Sequence, residues 1–374
     1  MKTNIDRWQE LLNNITAKVE AQADKYTDKF PDIVEADGNC LLANASNWTT
    51  GFWPGMLLIA YKKTGNPKIL DRLRNFEAIQ NTMFSNLKEL HHDVGFMWFL
   101  SSAEDYNYTG FQVARDNAMN AALILMSRFN PKGNFIRAWN NDEGSNVDKS
   151  GWAIIDCMLN IELLYWASKI TGDPRFKHVA NAHADSTLEN FIRSDGTVKH
   201  VVCYNPETGD AEGNLEGQGY STESSWTRGM GWAAYGFAKA YGYTGNAKYL
   251  EASQKVIDAF LRLLPDGEIP PCDFFQPDEP CYYDSSAGAI VACAMLENAR
   301  RCSEKKEYYI LEAQKLLNTL TDKCADLSPD THGILRLATQ AYHKARKNVT
   351  LVYGDYYYYE AVDKLVKILK EEEV

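Results

Sequence analysis

No stretch of this chain is apolar for long enough to cross a bilayer. Its opening, MKTNIDRWQELLNNITAKVE, is amphipathic and lacks an apolar signal core. No membrane partner is expected, and a cytoplasmic location is. Basic charge is in deficit: 39 Lys and Arg against 50 Asp and Glu leave a net charge of −11. Such a balance argues against a nucleic-acid or membrane-surface partner. It leaves anionic small substrates open, because a local basic pocket can sit on an acidic surface. The 8 cysteines contain no C-x-x-C pair, as expected of reduced thiols in a cytoplasmic protein. Histidine is scarce, at 7 residues. The adjacent pair His91-His92 cannot turn both rings to one side of a helix, so neither a metal site nor a cofactor is expected. Convincing strand alternation is rare as well.

Apolar residues and flat rings are plentiful. Of 374 residues 45% are hydrophobic, enough for a large core, and they include 9 Trp and 21 Tyr. Helical periodicity predicts segments near 4–26, 51–63, 67–88, 93–106, 111–128, 150–170, 174–192, 226–242, 246–263, 284–301, 305–324 and 354–371. A turn signature recurs at Thr64-Gly65-Asn66-Pro67, Thr171-Gly172-Asp173-Pro174 and Thr244-Gly245-Asn246-Ala247. Each supplies a terminating Gly and an Asn or Asp cap, which closes one helix and opens the next.

The links between helices alternate in length, and those at 27–50, 129–149, 193–225, 264–283 and 325–353 are long. Every second helix (FWPGMLLIAY, GWAIIDCMLNIELLYWA, GMGWAAYGFAKAY, SSAGAIVACAML) is apolar nearly all round, and the others carry charge on one side. The expectation is all-α: an (α/α)6 barrel of six helical hairpins, with the long loops at one end. No linker interrupts it, so residues 1–374 read as a single domain, a monomer or weak homo-oligomer.

The long loops run into the N-termini of the inner helices, which present free N–H groups at the loop-lined mouth. Trp48, Asp93, Asp156, Arg228, Asp284 and Asp355 lie at or near those starts. In SGWAIIDCMLNIELLYWASKITGDP, Trp152, Asp156 and Asn160 stand four apart on one predicted helical face. An acid so placed is either a core Asp satisfied by donors or a carboxyl kept protonated by its apolar site.

Asp93 reads locally as an N-cap. In a barrel it would face Asp156 across the axis, and paired carboxylates in unequal environments suit hydrolysis. Arg228 offers a fork for a substrate carboxylate, or an ion pair with a neighbouring Asp. His200 and Gln218 are candidate ligands on the 193–225 loop. Trp53 and Trp232, deeper in their helices, read equally well as core. Tyr356 to Tyr359 must face several directions, so one or two at most can line a cavity.

The motifs N-W-T-x-G-F-W, H-H-D-x-G-F, I-I-D-C-x-L-N, S-x-W-T-R-G-x-x-W, Y-x-D-S-S-A and G-D-Y-Y-Y-x-E-A, from Trp48 to Ala361, together resemble glycoside hydrolase family 88, the unsaturated glucuronyl hydrolases. The resemblance implies an enzyme that removes a 4,5-unsaturated uronic acid from the non-reducing end of lyase-generated oligosaccharides, of glycosaminoglycan type. The reaction is hydration of the C4=C5 vinyl ether. It implies Asp156 as acid/base, Asp93 as the second essential acid, and His200, Gln218 and Arg228 as hydrogen-bonding residues. Trp48, Phe52, Trp139, Trp226, Trp232 and Tyr342 match the aromatic wall.

The chain departs from the family pattern just before Gln218, where the family has a His and this chain has Gly217, with Tyr220 as a candidate stand-in, and through 337–353. In that segment Lys344, Arg346 and Lys347 are candidate readers of a sulfated or acidic neighbouring sugar, or a solvated basic loop. The alternatives are an unsaturated rhamnogalacturonyl hydrolase with the same chemistry, a sugar epimerase, and a non-catalytic glycan-binding barrel.

Overall fold

Tight turns set the helical hairpins. Gly65, Gly172 and Gly245 end their helices in left-handed backbone at φ 65°, 73° and 68°, a conformation that a side chain would strain. Asn66, Asp173 and Asn246 cap the following helices, accepting from Lys68 N, Arg175 N and Lys248 N. The computed structural model describes residues 2–372, and side chains from 5 to 371.

Outer helices Lys2–Gln22, Pro67–Asn81, Gln112–Ser127, Pro174–Asn190, Ala247–Leu263 and Lys306–Lys323 alternate with inner ones. The inner set is Phe52–Thr64, a broken helix over 94–109, another over 157–171, Thr227–Thr244, Ser285–Ala299 and Val352–Glu372. Each inner helix packs on the next, and the last packs on the first, closing an (α/α)6 barrel. Side-chain polarity dictates which helices lie inside. Every residue of Ser285–Ala299 is buried. Ala247–Leu263 buries only the stripe Tyr249, Ala252, Ser253, Val256, Ile257, Ala259 and Phe260. Among the described residues no helix is long and apolar enough to cross a membrane.

Two inner helices depart from their predicted spans. The predicted helix 93–106 is Val94–Trp98, a π-helical turn at Phe99–Ala103, then Glu104–Thr109. The predicted helix 150–170 begins only at Cys157. Before it, Trp152–Ile154 form a strand paired antiparallel with Val201–Tyr204, Trp152 opposite Cys203. Trp152 therefore does not share a helical face with Asp156 and Asn160. The run Trp-Ala-Ile-Ile is as good a strand former as a helix former, and a partner strand from a distant loop decides the matter. Outer helix 67–88 likewise stops at Asn81 and continues as 3-10 turns.

Three small sheets stiffen the long loops: Phe30–Val34 with Cys40–Ala43 and Thr350–Leu351, Phe129–Asn130 with Phe135–Ile136, and Trp152–Ile154 with Val201–Tyr204 and Ala211–Leu215. At the opposite end the axis holds a cavity of about 200 Å³ lined by several ion pairs. Lys62 meets Glu104 at 3.0 Å and Lys239 meets Glu162 at 2.9 Å. Phe96, Leu159 and Tyr357 also line it.

The contact between helix 94–98 and the start of helix 157–171 depends on Gly95. A Cβ there would lie 2.4 Å from Asn160 Cα and 2.5 Å from Asn160 O. Gly95→Ala is expected to destabilise the protein by about 1–3 kcal/mol in urea denaturation. Gly213→Ala, with nothing within 4 Å of the added carbon, should stay within about 0.5 kcal/mol. Equal effects would refute the packing argument.

Candidate active site

Asp93 stands at the N-cap of helix 94–98, yet its carboxylate makes no capping hydrogen bond. It is buried, accepting from Asn160 Nδ2 at 2.9 Å, with His92 Nε2 3.4 Å from Oδ1 and His91 Nδ1 3.3 Å from Oδ2. Burial pushes this acid up, but His92, His91 and the Asn160 amide outweigh it and hold it down at about 2. Asn160 is also committed on its other side, its Oδ1 accepting from Phe96 N at 2.7 Å.

Because Asn160 stands one turn after Asp156, the two acids sit on neighbouring inner helices joined by this amide. They do not face each other across the axis. His91 and His92 precede the helix, so the face argument made for a helical pair does not apply to them. Their ligand atoms and those of Asp93 lie within 4.8 Å of one another. That corrects the expectation of no metal-type cluster, although the contacts to Asp93 account for the convergence of the rings.

Asp156 stands at the N-cap of Cys157–Asn160, also without a capping bond. Its side chain is 15% exposed, and Oδ2 is buried with no hydrogen-bond partner. His200 Nε2 lies 3.6 Å from that oxygen. The tautomer of His200 follows from its other side: Nδ1 accepts from Gln218 N at 2.8 Å, so a neutral ring carries its proton on Nε2, toward Asp156. Gly217 makes this possible, since at φ 71° a Cβ would fall 1.8 Å from His200 Nδ1.

The predicted site residues converge, with exceptions. Arg228 was expected to offer a fork to a substrate carboxylate, but it is almost fully buried and its two terminal nitrogens are committed. One pairs with Asp284 and donates to Thr339 O at 2.9 Å, and the other donates to Gln340 O at 2.7 Å. The ion-pair alternative is the one realised. Arg228 also lies against Trp226 and Tyr353, 4.6 and 5.0 Å from their ring centres. Gln218 joins the same set, donating to Gln340 O at 3.0 Å and accepting from Tyr342 N at 2.9 Å.

Trp48 is half-buried at the mouth, 5.1 Å from Tyr353 and 5.6 Å from Phe96. Phe52 and Trp232 are fully buried behind it: Trp232 is core, as one of its two readings had it, and Phe52, matched to the aromatic wall, is core as well. Phe52 is the first residue of its helix and Trp232 lies in the second turn of Thr227–Thr244. Trp226 is buried against His200, ring centres 4.4 Å apart. Trp53 is core, as one of its two readings had it. Trp139 is half-buried and meets Trp152 edge-on at 6.1 Å beside a cleft of about 900 Å³ that reaches His91.

Tyr342 is buried between Tyr220 and Tyr282, at 4.9 and 5.2 Å. Lys347 lies 3.9 Å from the Tyr282 ring centre, Arg346 is 3.6 Å from Glu35, and Lys344 is exposed. Of the four consecutive tyrosines, Tyr356 and Tyr357 line the far cavity, while Tyr358 and Tyr359 bond Thr321 and Thr16 on outer helices. Asp284 and Asp355, counted among the acids at the mouth, are tied into the scaffold: Asp284 by Arg228 and Asp355 by Ile334 N and Leu335 N at 3.0 and 2.7 Å.

Three residues that matter here were not among the predicted site residues. Tyr353 backs Trp48. Asp273 gathers the loop before helix 227–244, accepting from Tyr220 N, Ser225 N and Ser224 Oγ. Asn160 bridges to Asp93, and only its spacing from Asp156 hinted at a role.

The sequence pattern of Glycosyl Hydrolase Family 88 matches residues 19–367. The chain is 33% identical over 370 residues to an unsaturated glucuronyl hydrolase of Bacillus sp. strain GL1, covering 96% of each chain. The crystal structure of the Bacillus sp. GL1 enzyme, described as responsible for the degradation of glycosaminoglycan, superposes with a TM-score of 0.90 at 32% identity, over 95% of this chain and 96% of that one. An unsaturated chondroitin disaccharide hydrolase of Streptococcus pyogenes serotype M1 is 30% identical, over 96% of this chain and 91% of its own. A solved unsaturated glucuronyl hydrolase specific for heparin has a TM-score of 0.89 at 29% identity, over 98% of both chains.

Burial raises the Asp355 carboxyl from 3.8 to about 7, against the two backbone donors that lower it. A carboxyl raised by folding holds a proton in the native state that the unfolded chain has lost. Its contribution is fully present below about pH 4 and is lost as pH climbs to about 7. Asp355→Asn keeps the acceptor oxygen and removes the titration. The melting temperature of the variant relative to the parent is expected to rise from pH 4 to pH 7 and then level. A difference independent of pH would contradict this.

Proposed function

This chain belongs to Glycosyl Hydrolase Family 88, and from that membership we propose that it removes a 4,5-unsaturated glucuronic acid from the non-reducing end of lyase-generated, glycosaminoglycan-type oligosaccharides. The observation that carries the reading is the state of Asp156. Asp93, Asp273, Asp284 and Asp355 all accept hydrogen bonds from named protein donors. Asp156 keeps an oxygen buried and unbonded beside the Nε2 proton of His200. An uncommitted carboxyl in a mouth of satisfied ones is the group left to serve a substrate.

The chemistry needs one such group. Asp156 in its acid form protonates C4 of the vinyl ether, and positive charge develops at C5, shared with the ring oxygen. Asp156, now a carboxylate, accepts a proton from the water that adds at C5. The resulting hemiketal opens, the anomeric carbon becomes an aldehyde, and the remainder of the oligosaccharide leaves. His200 Nε2–H, facing Asp156, stabilises the carboxylate form. Asp93, kept anionic by its donors, holds the sugar hydroxyls and helps place Asp156.

Trp48 and Trp139 give the sugar flat faces, and Tyr342 closes the side toward the 337–353 loop. Phe52, Trp226 and Trp232 support these from behind. Arg228 and Gln218 act on the substrate through the segment 339–342 that they hold, and Lys344, Arg346 and Lys347 extend that side as a basic rim for a sulfated neighbour. We read residues 1–374 as a single catalytic domain, a monomer or weak homo-oligomer. The eight free cysteines fit a cytoplasmic setting.

The conjugated double bond absorbs in the ultraviolet and the hydrated product does not. Incubation with an unsaturated chondroitin or hyaluronan disaccharide is expected to bleach that absorbance, and Asp156→Asn to slow it by about 10²–10⁴-fold. Bleaching only of an unsaturated pectin disaccharide would move the chain to rhamnogalacturonyl substrates, and no bleaching of either would end the proposal. Replacing Lys344, Arg346 and Lys347 by Ala should raise KM for sulfated disaccharides more than for unsulfated ones. Equal effects would make the loop a solvated surface.

A further inference from the structure

A buried phenol ordinarily finds a partner for its hydroxyl, and most buried tyrosines of this chain do. Tyr204 meets Ser186, Tyr235 donates to Glu360, and Tyr249 donates to Asp185. Tyr309 is an enclosed orphan. Tyr353, Tyr356 and Tyr357 belong to neither group. They are buried, their hydroxyls make no hydrogen bond among the described residues, and those hydroxyls are not among the enclosed polar atoms that lack a partner. Such a hydroxyl opens on free space. For Tyr356 and Tyr357 that space is the far cavity, which they line.

Tyr353 stands at the other end, as the second residue of inner helix Val352–Glu372. Its ring is packed by Trp48 at 5.1 Å, Phe52 at 5.9 Å and Trp232 at 6.5 Å, and the Arg228 guanidinium lies 5.0 Å from its centre. The same guanidinium lies 4.6 Å from the centre of Trp226. Trp226 packs on His200 at 4.4 Å, and His200 Nε2 is 3.6 Å from the unbonded oxygen of Asp156. A continuous set of contacts therefore puts Tyr353 in the mouth that holds Asp156, on the side of Trp48.

The hydration reading requires a partner that the site so far lacks. The unsaturated sugar carries a carboxylate on C5, and Arg228, the expected fork, is committed to Asp284, Thr339 O and Gln340 O. Tyr353 is a donor beside that guanidinium with nothing in the protein to donate to. Burial pushes its hydroxyl up, against the pull of Arg228, so it keeps its proton through neutral pH. A phenol donating to a carboxylate makes a short, charge-assisted bond.

We propose that Tyr353 is a substrate-binding residue, its hydroxyl donating to the C5 carboxylate of the unsaturated sugar whose face lies on Trp48. Anchoring that carboxylate fixes the plane of the C4=C5 bond, and so presents C4 to Asp156. The inference rests on the hydration reading for the identity of the sugar.

The test compares an unsaturated chondroitin disaccharide with its C5 methyl ester, since both absorb in the ultraviolet and the ester lacks the charge. The parent is expected to prefer the acid. Tyr353→Phe should lower kcat/KM about 10–100-fold on the acid, the value of a hydrogen bond to a charged group, and about fivefold or less on the ester. Its melting temperature should stay near that of the parent, because the hydroxyl has no protein partner to lose. Tyr356→Phe, which removes a free hydroxyl at the far cavity, should keep parental kcat/KM on both. Parental activity of Tyr353→Phe on the acid would overturn the proposal, as would an equal loss on acid and ester, which would mean a bond to a sugar hydroxyl. A loss in Tyr356→Phe as large as in Tyr353→Phe would make the effect one of packing and overturn it too. If Tyr353→Phe does not fold, the parent alone decides, and equal rates on acid and ester would overturn the proposal. A parent that bleaches neither compound would defeat the hydration reading and this inference with it, whereas the other outcomes leave that reading intact.

Discussion

A buried carboxylate must be compensated, and the mouth of this barrel is organised around compensating Asp93. Its partners come from separate places: His91 and His92, from the residues before it, stand beside it, and Asn160 of the next inner helix donates to it. Asn160 can serve only because Gly95 lets the two helices touch. Asn160 in turn belongs to the helix that Asp156 begins, so the charge on one acid fixes the place of the other. The two acids differ in what is left to them. Asp93 has its donors from the protein, and Asp156 has one facing imidazole and an oxygen to spare.

A second constraint governs the opposite wall. Arg228 is buried, and a guanidinium there needs every available acceptor. It takes Asp284 from the neighbouring inner helix and the carbonyls of Thr339 and Gln340 from the last long loop. Gln218 binds the same loop through Gln340 O and Tyr342 N, and its own N–H sets the tautomer of His200. The loop segments 217–220 and 339–342 are thus one unit with the imidazole that faces Asp156.

The barrel is consequently polar at both ends for different reasons. At the loop end, charges are fixed individually by backbone and side-chain donors, and one is left free. At the far end Lys62, Lys239 and Lys364 pair with Glu104, Glu162 and Glu297. Aromatic side chains separate the two, with Phe52, Phe96, Trp232 and Tyr357 in mutual contact. Water-excluding packing of this kind strengthens the electrostatic interactions of the site above it.

The sequence by itself determined the periodic features. Apolar helices alternating with amphipathic ones, and Gly–Asn or Gly–Asp turns between them, specify hairpins, because side-chain burial and capping act within a few residues. Those patterns, with long loops before the inner helices, placed Asp93, Asp156, His200, Gln218 and Arg228 at one end. What the tertiary structure decided was every question of partnership. Trp152–Ile154 became a strand because Val201–Tyr204 lay beside it. Arg228 became a clamp because Asp284 and two carbonyls reached it first. Phe52 and Trp232 became core, since burial on a helix is set by its neighbours. Asn160 and Asp273 acquired their roles from residues 67 positions away for the first and 53 or 49 for the second. Hydrogen bonds and charge pairs act over a few ångströms in space, and only the closed barrel brings such distant positions that near.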